Sequence, residues 1–261
     1  MTPVISVRDL QKTFGSVVAA RDINVDIPAL QTVGIIGANG AGKTTFVNMI
    51  TGHIRPSSGS IFFAGKDVTG LPSRTICRMG ISRSFQVAQI FPSLTVYENM
   101  CAAAAIARTN ASVVRYALMP LLNEAAIAET EEAIKLFQLS KYRNAQAATL
   151  PQGVRKLLDI AMAVAGRPQV LLLDEPTSGI SVEEKYDLME IVMGALKSRK
   201  VTVLFVEHDM ELVERFAERV LAFYDGTVIS DGSPAEVLGD PRVQELITGH
   251  AIARSGSVTH A

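Results

Sequence analysis

The sequence predicts an α/β fold built on a largely parallel sheet. Three observations point there. Val170–Leu173 is a short, wholly apolar run and Val201–Val206 is apolar apart from Thr202, the pattern of strands covered by helices on both faces. Helix-prone segments alternate with them, as parallel strands require. A third apolar run, Thr32–Ile36, passes straight into a glycine cluster and then into a helical stretch.

The elements follow in order. Val4–Val7 alternates and reads as a strand. Val17–Ile27 is a second, with Ile23, Val25 and Ile27 on one face and Pro28 ending it. After the strand at Thr32–Ile36, Thr44–Ile50 reads as a helix closed by Gly52. Pro56–Gly59 predicts a turn and Ser60–Phe63 a strand. Tyr97–Ala107 and Asn123–Leu139 are alanine-rich and helix-prone, while Ala111–Pro120 between them carries no clear signal. This block interrupts the strand-rich pattern and reads as an inserted helical subdomain. Helices are then expected at Arg155–Ala165, Glu183–Lys197 and Met210–Ala217. Asp225-Gly226, between Val220–Tyr224 and Thr227–Ser230, is a hairpin signal. Residues 250–261 close with small polar residues and are expected to fray.

Composition narrows the function. The 261 residues allow one large α/β domain or two small ones, and 48% apolar content suffices for a sizeable core. A net charge of −1 gives no global field to draw nucleic acid, so any phosphate binding must be local. Cys77 and Cys101 cannot build a disulfide framework; both are expected to be small buried apolar residues in a reducing compartment. No apolar run reaches the roughly 18–20 residues that span a bilayer, so a link to a membrane is expected only through a partner.

Gly37-Ala38-Asn39-Gly40-Ala41-Gly42-Lys43-Thr44, followed by Thr45, fits the phosphate-loop pattern G-x-x-x-x-G-K-[ST]. Glycines let the backbone wrap a phosphate closely, and the wrapped N–H groups form an anion nest. The following helix adds its positive end. Lys43 is placed to meet the β- and γ-phosphates of ATP, and the Thr44 hydroxyl to meet Mg2+. The bland alternative is a glycine-rich turn with a surface lysine; the strand before and the helix after speak against it. Asp174-Glu175 follows the run Val170–Leu173, where parallel sheets bind ligands. Asp174 is expected to hold Mg2+ through water and Glu175 to polarise the attacking water, the alternative being two solvated acids capping a helix. His208 ends the next buried run and could reach the γ-phosphate, although a lone histidine there is more often structural.

Together these motifs resemble the ATP-binding subunit of an ABC transporter over about Val4 to Gly249. Gly37–Thr45 matches Walker A and Leu171–Glu175 Walker B. Gln86, in Ser84-Phe85-Gln86, matches the Q-loop; His208 matches the switch histidine; Phe14 matches the aromatic that stacks on adenine. The resemblance implies a P-loop NTPase core, an antiparallel β subdomain, and a helical subdomain at about residues 87–160, all in one domain. It implies ATP and Mg2+ as cofactors, with Gln86 joining Thr44 and Asp174 at the metal, and Glu175, His208 and Gln86 taking part in hydrolysis. The signature segment departs from the family's LSGGQ: Leu150-Pro151-Gln152-Gly153-Val154 keeps only Leu150 and Gly153. Ser181 stands where the family usually has aspartate.

A finer similarity is to the ATP-binding subunits of branched-chain amino acid importers, with Ile106–Glu129 as their helical insert; urea or amide importers share this build. The implied partners are integral-membrane permease subunits, received in a groove near Gln86–Asn99, and a second ATP-binding subunit in a hetero- or homodimer. A solute-binding protein is implied indirectly. The implied location is the cytoplasmic face of the inner membrane. Rival readings are a lipid or lipopolysaccharide exporter and a noncatalytic ATP-binding regulator. DNA-repair and translation relatives carry coiled coils or paired cassettes, which this chain lacks.

Overall fold

Two sheets divide the strands of this computed structural model, which describes residues 3–84, 88–111 and 124–249. β1 (Ile5–Phe14), β2 (Val17–Ile27), β4 (Ser58–Phe63) and β5 (Lys66–Asp67) form an antiparallel sheet in the order β2-β1-β4-β5. The second sheet runs β10-β9-β3-β8-β7-β6. Its members are β3 (Thr32–Gly37), β6 (Ile81–Ser84), β7 (Val170–Asp174), β8 (Thr202–Val206), β9 (Arg219–Tyr224) and β10 (Thr227–Gly232). All neighbours here are parallel except the β9–β10 hairpin.

The apolar runs behave as fully buried strands for a definite reason. In β7, Leu171 and Leu173 face one core while Val170 and Leu172 face the other. In β8, Val203 and Phe205 join the first core, Leu204 and Val206 the second. Successive side chains point to opposite faces, so a strand between two cores must be apolar at every position. The first core is closed by α3 (Val96–Ala111), α4 (Glu124–Leu136), α5 (Gln152–Val164), α6 (Val182–Ser198) and α7 (Met210–Phe216). The second lies between the parallel sheet, the antiparallel sheet and α1 (Lys43–Ile50).

Several expectations shift. Ser58 and Gly59 belong to β4, not to the preceding turn. The register of β1 against β4 slips there, and a Cβ on Gly59 would lie 2.3 Å from the Asp9 carbonyl oxygen, so a glycine absorbs the bulge. Cys77 is exposed, because α2 (Ser73–Met79) buries only Ile76; Cys101 is buried as expected. The expectations for Ala111–Pro120 rest mostly, and those for Gln86 and residues 250–261 wholly, on positions outside the described residues. Among the described residues no helix is long and apolar enough to cross a membrane.

Candidate functional site

The order β3-β8-β7-β6 fixes the site. β3 ends in the glycine loop, β8 in Glu207-His208 and β7 in Asp174-Glu175, all at the same edge of neighbouring parallel strands. Adjacent strands lie about 4.8 Å apart, so residues far apart in sequence meet there.

Gly37 is the last residue of β3, paired with Phe223 of β9. The chain then loops through exposed Ala38, Asn39 and Gly40 and buried Ala41 before α1 begins. Gly42 precedes α1 with φ +100°, and a Cβ there would sit 2.6 Å from the Ala19 carbonyl oxygen. The loop is backed by the β9–β10 hairpin, whose Gly226 N–H donates to the Ala41 carbonyl at 3.1 Å. No side chain caps α1, which leaves its first N–H groups to an anion. Lys43 is buried; its Nζ donates to the carbonyls of Gly37 at 2.7 Å and Ala38 at 3.0 Å. Burial pulls its pKa down, and Glu175 and Asp174 push it back up. Thr44 is exposed on the first turn and Thr45 half-buried.

At the end of β7, Asp174 pairs with Val206 of β8. Its Oδ2 accepts from Arg83 of β6, whose other nitrogen donates to Asn48 on α1. Glu175 adopts a left-handed backbone at φ +46°. Its N–H donates to the Val206 carbonyl at 3.0 Å, and its Oε1 lies 3.1 Å from Nε2 of His208. Glu175 and His208, 33 residues apart, thus form one pair at the edge.

Three residues here escaped sequence reasoning. Arg83 holds Asp174. Glu207, buried at the end of β8, accepts from Thr177 N–H at 3.1 Å and from its hydroxyl at 2.6 Å. Burial pushes its pKa up, against the hydrogen bonds from Thr177 and His208. Asp159 of α5 accepts from the Ser84 hydroxyl at 2.6 Å and the Gln89 N–H at 2.7 Å, on either side of residues 85–87. The available signal for Glu207 was an acid directly after an apolar strand; for Asp159, an acid among the apolar residues of α5.

Phe14 ends β1 opposite Val17, its ring half exposed beneath Lys12 Nζ at 4.9 Å. β2 continues from Val17 to Ala19, which lies against Gly42, so one hairpin carries Phe14 towards the glycine loop. Pro151 precedes α5 without a side-chain cap, and Gln152 Nε2 donates to the Ser178 carbonyl at 3.4 Å.

The donor set suits a hard cation. Thr44 and Asp174 offer oxygen only, and among the described residues no group of three or more His, Cys, Asp or Glu side chains could cage a metal. Mg2+ typically takes one or two protein oxygens and completes its shell with phosphate and water.

Comparison with known proteins agrees. Residues 20–178 match the family model described as ABC transporter. The chain is 32% identical over 252 residues to the high-affinity branched-chain amino acid transport ATP-binding protein BraF of Pseudomonas aeruginosa, covering 95% of this chain and 99% of BraF. It is 30% identical over 249 residues to the lipopolysaccharide export system ATP-binding protein LptB of Acidithiobacillus ferridurans, covering 95% and 98%. Among solved structures it is similar to MJ1267, an ATP-binding cassette of an ABC transporter, with TM-score 0.81 and 25% identity over 94% of this chain and 99% of that one. The glycine loop, the acidic strand end and these relatives converge: the chain belongs to the ABC transporter family, as an ATP-binding subunit that hydrolyses ATP.

Proposed function

We propose that this chain powers an importer of branched-chain amino acids. Its glycine loop holds ATP, with the N–H groups of Gly37–Thr45 and the Lys43 ammonium on the phosphates. Phe14 stacks on the adenine. Thr44 and Asp174, with Gln86, would hold Mg2+, which would neutralise phosphate charge. Glu175 takes the proton of a water that attacks the γ-phosphorus as its bond to the β–γ bridging oxygen breaks and ADP leaves, and His208 orients Glu175 and the γ-phosphate. The contact of Glu175 with His208 at 3.1 Å carries this reading, because it joins a base and its orienting partner one strand from the phosphate loop. Import of amino acids is supported by the likeness to BraF.

Residues 4–249 act as one domain, at the cytoplasmic face of the membrane and held there by permease subunits. A groove of about 380 Å³ between β6, α3 and α5, lined by Arg78, Phe91, Ile106 and Met162, suits a helix from such a subunit. A solute-binding protein selects the solute upstream. The second ATP-binding subunit supplies its signature segment to this P-loop.

Glu175→Gln removes the base but keeps shape and ATP contacts. In the reconstituted transporter it should lower ATP turnover by about a hundredfold or more, with nucleotide still bound. Turnover near the wild-type rate would refute the catalytic assignment. Uptake of labelled leucine by the same vesicles, against a lipid or urea control, tests the solute.

A further inference from the structure

Glu207 is a buried carboxylate directly after β8, whose residues Val203–Val206 are all apolar. Burying a charge is costly unless hydrogen bonds compensate it. Here they do. Oε1 accepts from both the N–H and the hydroxyl of Thr177, at 3.1 and 2.6 Å, and Oε2 accepts from the His208 N–H at 3.2 Å.

These bonds close a ring. One side is the segment Glu175-Pro176-Thr177, the other is Glu207-His208. Glu207 joins them at one end, and the contact of Glu175 Oε1 with His208 Nε2 joins them at the other. Glu175 also holds a left-handed backbone at φ +46°, a conformation that persists in a non-glycine residue only when its surroundings enforce it. On its N-terminal side the N–H bond to Val206 enforces it. On its C-terminal side the Ser178 N–H donates to the Glu175 carbonyl at 3.1 Å, and Thr177 between them is held by Glu207. Freed of Glu207, Thr177 loses both bonds, and Glu175 can return to an ordinary φ that turns its carboxylate away from His208.

We propose that Glu207 is a positioning residue for hydrolysis: by clamping Thr177 and the His208 amide, it keeps Glu175 and His208 in contact. The proposal rests on the reading that these two act on ATP. Glu207 itself stays out of the chemistry, since both its oxygens are engaged and it is 4% exposed.

The test measures ATP turnover by the full chain in its assembled transporter, with Glu175→Gln in parallel. Glu207→Ala should lower kcat about tenfold or more and leave KM for MgATP within about twofold. Glu207→Gln keeps an oxygen for both Thr177 donors and sets its NH2 against the His208 N–H in place of an acceptor, so with the Thr177 anchor intact it should recover kcat to within about threefold of wild type. Thr177→Val removes one bond; it should lower kcat severalfold and add nothing to Glu207→Ala, because the two act through one contact. Wild-type kcat in Glu207→Ala, or a loss confined to KM, would overturn the clamp while an inactive Glu175→Gln leaves the catalytic reading standing. An active Glu175→Gln would instead overturn that reading. Should Glu207→Ala fail to fold, Thr177→Val and Glu207→Gln decide the matter: wild-type kcat in the first, or no difference between the pair, overturns the proposal.

Discussion

Lys43 folds back onto its own loop, donating to the carbonyls of Gly37 and Ala38. Phosphate oxygens are stronger acceptors for a buried ammonium, so ATP can take over these bonds and relieve the burial that lowers the lysine's pKa. A charge-assisted hydrogen bond contributes about 1.5–3 kcal/mol, so Lys43→Ala should weaken nucleotide binding roughly ten- to hundredfold. Titration with a nonhydrolysable analogue checks this, and unchanged affinity would remove Lys43 from the site. Glu207 gives a pH signature. Its folded pKa lies above the ordinary 4.5, so in the window above 4.5 the folded state binds more protons than the unfolded chain. Stability should therefore fall as pH rises through that window, and the neutral Glu207→Gln should flatten this slope in thermal melts. Lys43 and Glu175 were singled out because each sits in a local pattern of fixed spacing, and His208 through the resemblance to the family. Glu207 and Arg83 were not, because their partners, Thr177 and Asp174, are distant in sequence.

Elements were legible where period and length agreed. β7 and β8 announced themselves through the apolar runs Val170–Leu173 and Val203–Val206, and the β9–β10 hairpin through Asp225-Gly226, both with positive φ. β6 was missed: Ile-Ser-Arg-Ser has no strand signature, and it becomes one by pairing with β7. The short helix Pro234–Gly239 was also passed over, although Ser233 and Glu236 form a capping box with proline at its start. Ser181 shows why a departure from the family can be structurally neutral. Its side chain accepts the Glu184 N–H at 3.3 Å and caps α6, a role aspartate fills equally well. Ser181→Ala should cost about 1 kcal/mol in denaturant unfolding, and Ser181→Asp should restore it, helped by the helix dipole. No loss in the alanine variant would mean the cap is idle.

At the scale of the molecule, the sheet order brings to one edge motifs more than 160 residues apart, since Lys43 opens the helix after β3 and His208 follows the adjacent strand β8. This chain's phosphate loop and Glu175–His208 pair are whole, while its signature segment carries Pro151, which has neither hydroxyl nor N–H to give. Paired with a different ATP-binding subunit, its own P-loop site should be the more active of the two. Glu175→Gln here should cost more than the corresponding substitution in the other subunit; equal losses would sink the idea. The sequence by itself determined the α/β class, the phosphate loop and the acidic strand end, because these are written in local spacing and in the period of apolar residues. Only the tertiary structure decided that Glu175 meets His208, that Arg83 holds Asp174 and that Glu207 holds Thr177. Those contacts cross between strands, and the order in which parallel strands pair is set by burying two cores at once, which no local pattern encodes.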